Sequence, residues 1–253
     1  VKVPNPDALT VVAWNTHVGV GILNGGLTWL IGETNPDVLL LSEVGRPVAR
    51  AALRARLNPA VWKIVGNERP SWGRGATGTM IVTRRSRLRF LNGSNTLVSP
   101  YLDRMHPQRR TTVGWYVDKL TGARVTLSSM HTWTLVGLKT APEKRHMIKP
   151  GHMMQVQRYA AHARNARAQG DLVVFGGDVN ERVNGDGTQP VEEAMRNAGM
   201  VLTRPWTDRT DSLDDIWRSA VAGARAVKSA NYRRLTVPGK GIDHRAIVVD
   251  VWP

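Results

Sequence analysis

Six places in the chain set a carboxylate, amide or imidazole at or beside the end of an apolar run. They are Trp14-Asn15, Ser42-Glu43, Met130-His131-Thr132, Gly176-Gly177-Asp178-Val179-Asn180, Leu213-Asp214-Asp215-Ile216 and Gly241-Ile242-Asp243-His244. Each alone has a plain reading: Asn15 as a turn residue, His131 as a core histidine, Asp178 with Asn180 as a polar turn. Together they suit phosphodiester hydrolysis. Magnesium takes oxygen ligands, usually one or two carboxylates, and keeps several waters. Glu43, Asp243 and the amide oxygen of Asn15 meet that need without a thiolate. An Asp–His pair can hold and deprotonate a water, and a second His can donate to a phosphate oxygen as charge develops.

Such residues act together only if the fold brings the run ends to one crevice, as strand ends do in α/β proteins. Short β-branched segments bounded by Gly, Pro, Asn or Asp predict strands at Leu9–Trp14, Val38–Leu41, Thr77–Thr83, Thr111–Val117, Arg124–Ser129, Leu172–Phe175 and Ala246–Val251. Helical patterns predict helices at Arg46–Leu57, His152–Ala168 and Pro190–Asn197. Residues 118–123 read as a hairpin-like connection with Gly122, and Asn180–Gln189 as a polar, Gly-rich loop. The mixture predicts an α/β fold: a four-layered sandwich of two packed mixed β-sheets flanked by helices. No repeat or linker divides residues 1–253, so a single domain is expected.

Composition narrows the partners. The 253 residues carry 35 Lys plus Arg against 20 Asp plus Glu, a formal net charge of +15. Such a surface attracts polyanions. There is no cysteine, which excludes disulfides and thiolate metal sites. The longest aliphatic run, Val38–Leu41, is too short to span a membrane, so no membrane partner is expected. Val1–Thr10 has no signal-peptide pattern. A soluble protein, either cytoplasmic or secreted, and a monomer, is expected.

The motifs "WN" at Trp14-Asn15, "DVLLLSE" at Asp37–Glu43 and "SSMHT" at Ser128–Thr132 are followed by "GGDVN" at Gly176–Asn180, "LDDI" at Leu213–Ile216 and "IDHRAIVVDV" at Ile242–Val251. In this order they resemble the endonuclease/exonuclease/phosphatase superfamily of deoxyribonuclease-I-like and exonuclease-III-like enzymes. The resemblance implies a metal cluster of Asn15, Glu43 and Asp243. It implies that Asp178 orients or deprotonates the attacking water, with Asn180 as a donor to the phosphate in the transition state. His244 is similar to the catalytic histidine, with Asp214 or Asp215 as its carboxylate and Asp214 favoured. His131 is similar to the second histidine of the deoxyribonuclease-I branch, with Glu68 as its supporting partner. Arg109 or Arg110 resembles a phosphate-contacting arginine. The chain departs from the pattern at Val179, where an aromatic is usual, and at Ile242, where Ser is usual.

These readings converge on a Mg2+-dependent hydrolase, with Mn2+ as the alternative ion, acting on nucleic acid, with DNA favoured over RNA. The Arg84–Arg89 stretch, the group Arg104, Arg109 and Arg110, and the group Lys139, Lys144, Arg145 and Lys149 are expected to track a phosphate backbone. The stretch Thr132–Gly151 is expected to form a loop that shapes substrate choice. Trp133 there either stacks on bases or anchors in the core, and Trp72 and Trp206 are better stacking candidates. Competing readings are a phosphatase or lipid phosphodiesterase on the same fold, and a catalytically idle nucleic-acid-binding module.

Overall fold

The computed structural model describes residues 7–17, 19–44, 46–66, 78–99, 109–133, 142–183, 189–205, 212–239 and 244–252; within these, it describes residues 142–148, 181–183 and 212–213 by backbone alone. The elements in chain order are β1 (Leu9–Asn15), α1 (Val20–Leu23), α2 (Gly26–Thr34), β2 (Val38–Ser42), α3 (Pro47–Arg56), β3 (Trp62–Gly66), β4 (Met80–Arg84), β5 (Leu88–Ser99), β6 (Arg109–Asp118) and β7 (Arg124–His131). They continue as α4 (Pro142–Ala168), β8 (Leu172–Val183), α5 (Pro190–Asn197), β9 (Met200–Leu202), β10 (Ser212–Ser219), β11 (Val221–Ala222), β12 (Arg225–Ala226), β13 (Lys228–Leu235) and β14 (Ala246–Trp252).

Two six-stranded mixed sheets carry the fold. One has the order β13-β14-β1-β2-β4-β3, the other β5-β6-β7-β8-β10-β9. The pairs β1–β2 and β7–β8 are parallel and the remaining pairs antiparallel. Alternation along the strands builds three apolar layers. Leu9, Val11 and Ala13 of β1 face Leu172, Val174 and Ile216 between the sheets. Val12, Trp14, Leu39 and Leu41 turn outward to Ile22, Leu27, Leu30 and Leu53 of α1–α3. Val173, Phe175 and Trp217 turn outward to Val156, Tyr159, Ala163 and Met195 of α4 and α5. Each fully buried Val or Leu contributes about 1.5–3 kcal/mol by leaving water. The expected four-layered sandwich is the observed one.

Three differences from the sequence reading have physical causes. Helix α4 begins at Pro142 and runs through Pro150, so residues 142–151 are helical rather than the loop expected across Thr132–Gly151. Proline removes one helical hydrogen bond, but the burial of Val156, Tyr159 and Ala160 further along holds the segment. Strand β8 continues to Val183, into the segment read as a loop. Strand β10 contains Asp214 and Asp215, residues disfavoured in strands, because each side chain finds a partner, the half-buried His244 for Asp214 and the buried Arg204 for Asp215.

Candidate active site

One edge of the sandwich collects the reactive residues. Strands β1, β2 and β7 end there, β8 passes through it at Asp178 on its way to Val183, and the antiparallel strands β6, β10 and β14 begin there. Asp214 therefore lies near the start of a strand rather than the end of one, yet beside Asp178: the two are paired in register, as are His131 and Asp178. At this edge the sheets are tied together by polar bonds. Ser129 Oγ of β7 donates to Leu41 O of β2 at 2.8 Å, and Thr112 Oγ1 of β6 donates to Thr79 O beside β4 at 2.7 Å.

Asp178 is the centre. It is 1% exposed, and both of its oxygens accept hydrogen bonds. Asn15 Nδ2 donates to Oδ2 at 2.8 Å across the two sheets, and the Asn180 backbone N–H donates to Oδ1 at 2.8 Å. Asn15 in turn accepts the His17 backbone N–H on Oδ1 at 2.9 Å, which fixes the amide's orientation. Asn180 donates through Nδ2 to Thr132 O at 2.9 Å. Burial pushes the Asp178 carboxyl up to about 7, the neighbouring Asp214 pushes the same way, and His244, Asn15 and the Asn180 N–H oppose them.

The preceding Gly177 has φ 138°, and a Cβ there would lie 2.2 Å from Met130 O. Only glycine lets β8 pass this close to β7. Glu43 and Asn180 hold left-handed backbone at φ 60° and 49°, sparsely populated for residues with side chains. Such strain persists where surrounding structure enforces it and clusters at functional sites.

Two groups share Asp178. Glu43, His131 and Asp178 each offer an atom within 4.8 Å of the others, and so do Asp178, Asp214 and His244. His131 Nε2 lies 3.5 Å from Glu43 Oε1 and 3.8 Å from Asp178 Oδ2. Its ring also meets Arg109 Nη1, 2.9 Å from Nε2, and its backbone N–H donates to Tyr159 Oη at 3.1 Å. Burial, with Arg109 and His244 adding repulsion, drives the His131 imidazole well below its usual range and keeps it neutral. His244 Nδ1 lies 2.6 Å from Asp214 Oδ2.

The alternatives left open by the sequence separate here. Asp214 meets His244, whereas Asp215 is buried against Arg204, whose Nε donates to Asp215 Oδ2 at 2.9 Å. Arg109 lies among His131, Glu43 and Asp178, whereas Arg110 donates to Asn95 O at 3.2 Å. Burial lowers the Arg109 guanidinium to about 10, with Glu43 and Asp178 opposing the shift. No described residue accepts a hydrogen bond from its buried Nε. Asn15, Glu43, Arg109, His131, Asp178, Asn180, Asp214 and His244 thus come together. Asp243 and Glu68 lie outside the described residues, as do Trp72, Trp206, Arg104 and Lys139.

The oxygen-rich set fits a hard divalent cation. Of the expected ligands, Glu43 offers a carboxylate and Asn15 Oδ1 retains a lone pair beyond the one used by His17, with Asp178 held beside them through Asn15 Nδ2. Trp133 is 2% exposed and anchored. Its backbone N–H donates to Gln155 Oε1 at 2.7 Å, its backbone carbonyl accepts from His152 Nδ1 at 2.8 Å, and its ring lies where a Cβ on Gly151 would be. It is a wall of the core and does not stack on bases. Tyr159, the backbone support of His131, was not singled out in the sequence because it reads as one more apolar position on the inner face of α4.

Three solved structures share this fold at low sequence identity. A humanized D. rerio TDP2 carrying 14 mutations superposes with a TM-score of 0.73 at 17% identity, covering 98% of this chain and 100% of that one. D. rerio TDP2 complexed with a single-strand DNA product gives 0.66 at 15% identity, covering 97% and 99%. The human Nocturnin catalytic domain with bound sulfate gives 0.67 at 15% identity, covering 98% and 96%. A search of curated proteins returns no match. The sequence model of the Endonuclease/Exonuclease/phosphatase family matches residues 12–244, which include every residue assembled at this edge, and the chain belongs to that family.

Proposed function

We propose that the chain, acting as a single domain, is a Mg2+- or Mn2+-dependent nuclease that hydrolyses phosphodiester bonds in nucleic acid, DNA in preference to RNA. The observation that carries this reading is Asp178, one buried carboxylate shared between an oxygen-rich group and an Asp–His pair.

Asn15, Glu43 and Asp243 would hold the ion, which when bound supplies positive charge to the scissile phosphate. Asp178, with its carboxyl near 7, takes the proton from the attacking water as the water oxygen bonds to phosphorus and the phosphorus–oxygen bond to the leaving group breaks, the leaving oxygen taking its proton from solvent. Asn15 and the Asn180 N–H hold that carboxylate still, so little reorganisation is needed at the moment of reaction. His244, oriented by Asp214 through Nδ1, presents Nε2 to the phosphate. Neutral His131 retains one ring N–H for a non-bridging oxygen, and Arg109 adds a fixed positive charge beside it, its Nε seeking an acceptor. The formal charge of +15 supports a polyanionic substrate.

The test is a panel under Mg2+: supercoiled plasmid, an RNA oligonucleotide, a phosphate monoester and a sphingomyelin vesicle. Cleavage of plasmid at rates far above the monoester and the vesicle supports the reading. Turnover of the monoester or lipid with intact plasmid overturns it in favour of a phosphatase or lipid phosphodiesterase. No turnover of any member overturns it in favour of an idle binding module.

A further inference from the structure

The Arg84–Arg89 stretch lies at the edge opposite the candidate active site, and its arginines have different partners. Arg84 donates through Nε to Pro36 O at 3.2 Å and through Nη2 to Asn35 Oδ1 at 2.7 Å, and its guanidinium covers Trp62 at 4.7 Å. Arg87 is buried and doubly bonded to Asp118, at 2.9 and 3.0 Å. Both are committed to the fold. Arg85 and Arg89 are exposed, and with Lys63 and Lys119 they line a pocket of about 340 Å3 over Leu88 and Phe90. The walls come from both sheets: Lys63 from β3, Arg85 from the turn after β4, Arg89 and Phe90 from β5, Lys119 from the turn after β6.

No ion pair joins these four cations to a carboxylate among the described residues. Lys63 Nζ sits 4.6 Å from the centre of the Phe90 ring, which holds it at the pocket wall. Arg85 is anchored through Nε to Pro59 O at 2.8 Å, an orientation that leaves its two terminal nitrogens for another acceptor. Four cations around one apolar floor give the pocket a positive potential. A multivalent anion is the ligand that such a potential favours. The volume is at the small end of ligand pockets and suits one phosphate-bearing unit.

Resting on the nuclease reading above, we propose that this pocket is a second phosphate-binding site that grips the backbone of a polynucleotide whose reacting phosphate lies at the opposite edge. Strand β6 runs from Arg109 in the candidate active site to Asp118 beside the pocket, ten residues. At about 3.3 Å per residue the two sites stand roughly 30 Å apart along the strand. That corresponds to about nine base-pair steps of a duplex. A polynucleotide must exceed about nine base pairs to touch both sites, and a small diester reaches only one.

The experiment uses the full chain with Arg85→Gln, Arg89→Gln and Lys119→Gln combined. A control triple, Arg164→Gln, Arg225→Gln and Lys228→Gln, removes the same charge from exposed positions elsewhere. Binding of a 30-base-pair DNA duplex is followed in EDTA across salt concentrations, and Mg2+-dependent cleavage of the duplex and of bis(p-nitrophenyl) phosphate is measured in parallel. The pocket triple is expected to lower the slope of log affinity against log salt by about 2 to 3. It should also raise KM for the duplex and leave the small diester unchanged, while the control triple changes the slope by less than half as much. Equal slopes for the two triples, or an unchanged slope in the pocket triple, overturn the proposal even if wild-type cleavage is intact. A selective loss of binding alongside wild-type protein that cleaves nothing keeps the pocket and removes the nuclease reading.

Discussion

At one end of β2 stands Asp37 and just past the other stands Glu43, and the two carboxylates keep different company. Asp37 accepts the Thr10 N–H at 3.1 Å and has Arg84 3.9 Å away, so its neighbours are backbone donors and cations. Glu43 has buried Asp178 and a neutral, buried His131 within 4.8 Å, on a backbone at φ 60°. The first arrangement serves folding: charge meets opposite charge and donors meet acceptors. The second works against folding, because burial drives the Asp178 carboxyl up to about 7 and the nearby Asp214 charge pushes the same way. Sites that bind cations or move protons are built in this second way. Both ends of the strand are rich in polar residues in the sequence, and only their partners distinguish them.

The sharpest way to break this contrast is to remove the imidazoles. His131→Ala and His244→Ala should each lower kcat about 100- to 10,000-fold while leaving the melting temperature close to wild type. Near-normal nicking by either variant would remove that residue from the mechanism.

The adjacent pair Asp214 and Asp215 repeats the contrast within one strand. Asp215→Ala leaves the buried Arg204 guanidinium without its acceptor and should cost about 3 kcal/mol or more of stability in a urea titration, with kcat of the folded fraction retained, whereas the neutral isostere Asp215→Asn should cost far less. Asp214→Asn should do the reverse of Asp215→Ala, with stability nearly kept and kcat lowered because His244 loses its orienting carboxylate. Equal effects of Asp215→Ala and Asp214→Asn on both readouts would show that the partners have been misassigned.

The two acids also titrate with different consequences. Asp178 must be ionised to accept a proton, and its carboxyl lies near 7. Turnover should therefore fall about tenfold per pH unit below neutrality, and the fall should move to lower pH as the Mg2+ concentration is raised, because a nearby cation favours the carboxylate. Asp215 is held near 6 by burial, which outweighs its pairing with Arg204. Its folded value lies above the unfolded 3.8, so its contribution to stability is full below about pH 4 and is lost as pH rises through about 6, a swing of about 3 kcal/mol. An acid limb that does not respond to Mg2+ would contradict the assignment of Asp178.

The smallest effect belongs to the folding end. Arg84→Gln should cost at most about 1 kcal/mol, since the pair with Asp37 is partly exposed, and should leave the salt dependence of DNA binding unchanged.

Much of this was legible in the sequence because the chemistry sits where apolar runs stop. Trp14-Asn15 and Ser42-Glu43 mark strand ends by pattern alone, whereas Gly176–Asn180 lies inside β8, which runs on to Val183. The choices of Asp214 over Asp215 and of Arg109 over Arg110 were not settled by pattern, because neighbours in sequence reach different partners across the sheet. Strand β5 went unread because its half-exposed sequence, with Asn92, Gly93 and Asn95, lacks alternation. Helices α1 and α2 went unread because glycines at φ 81° and 84°, with no capping side chain, start them. Arg84 and Arg87 were grouped with phosphate-tracking residues because charge is visible in a sequence and its pairing is not.

The central claim is that Asp178 is the base of a metal-dependent diesterase, and a plasmid-nicking assay with Asp178→Asn tests it most directly. With Mg2+ present, the wild type should nick supercoiled DNA and lose that activity in EDTA. The variant should retain the fold by circular dichroism and nick at least about 1,000-fold more slowly at every pH from 6 to 9. Nicking by Asp178→Asn within about tenfold of wild type, or wild-type nicking that survives EDTA, would contradict the account.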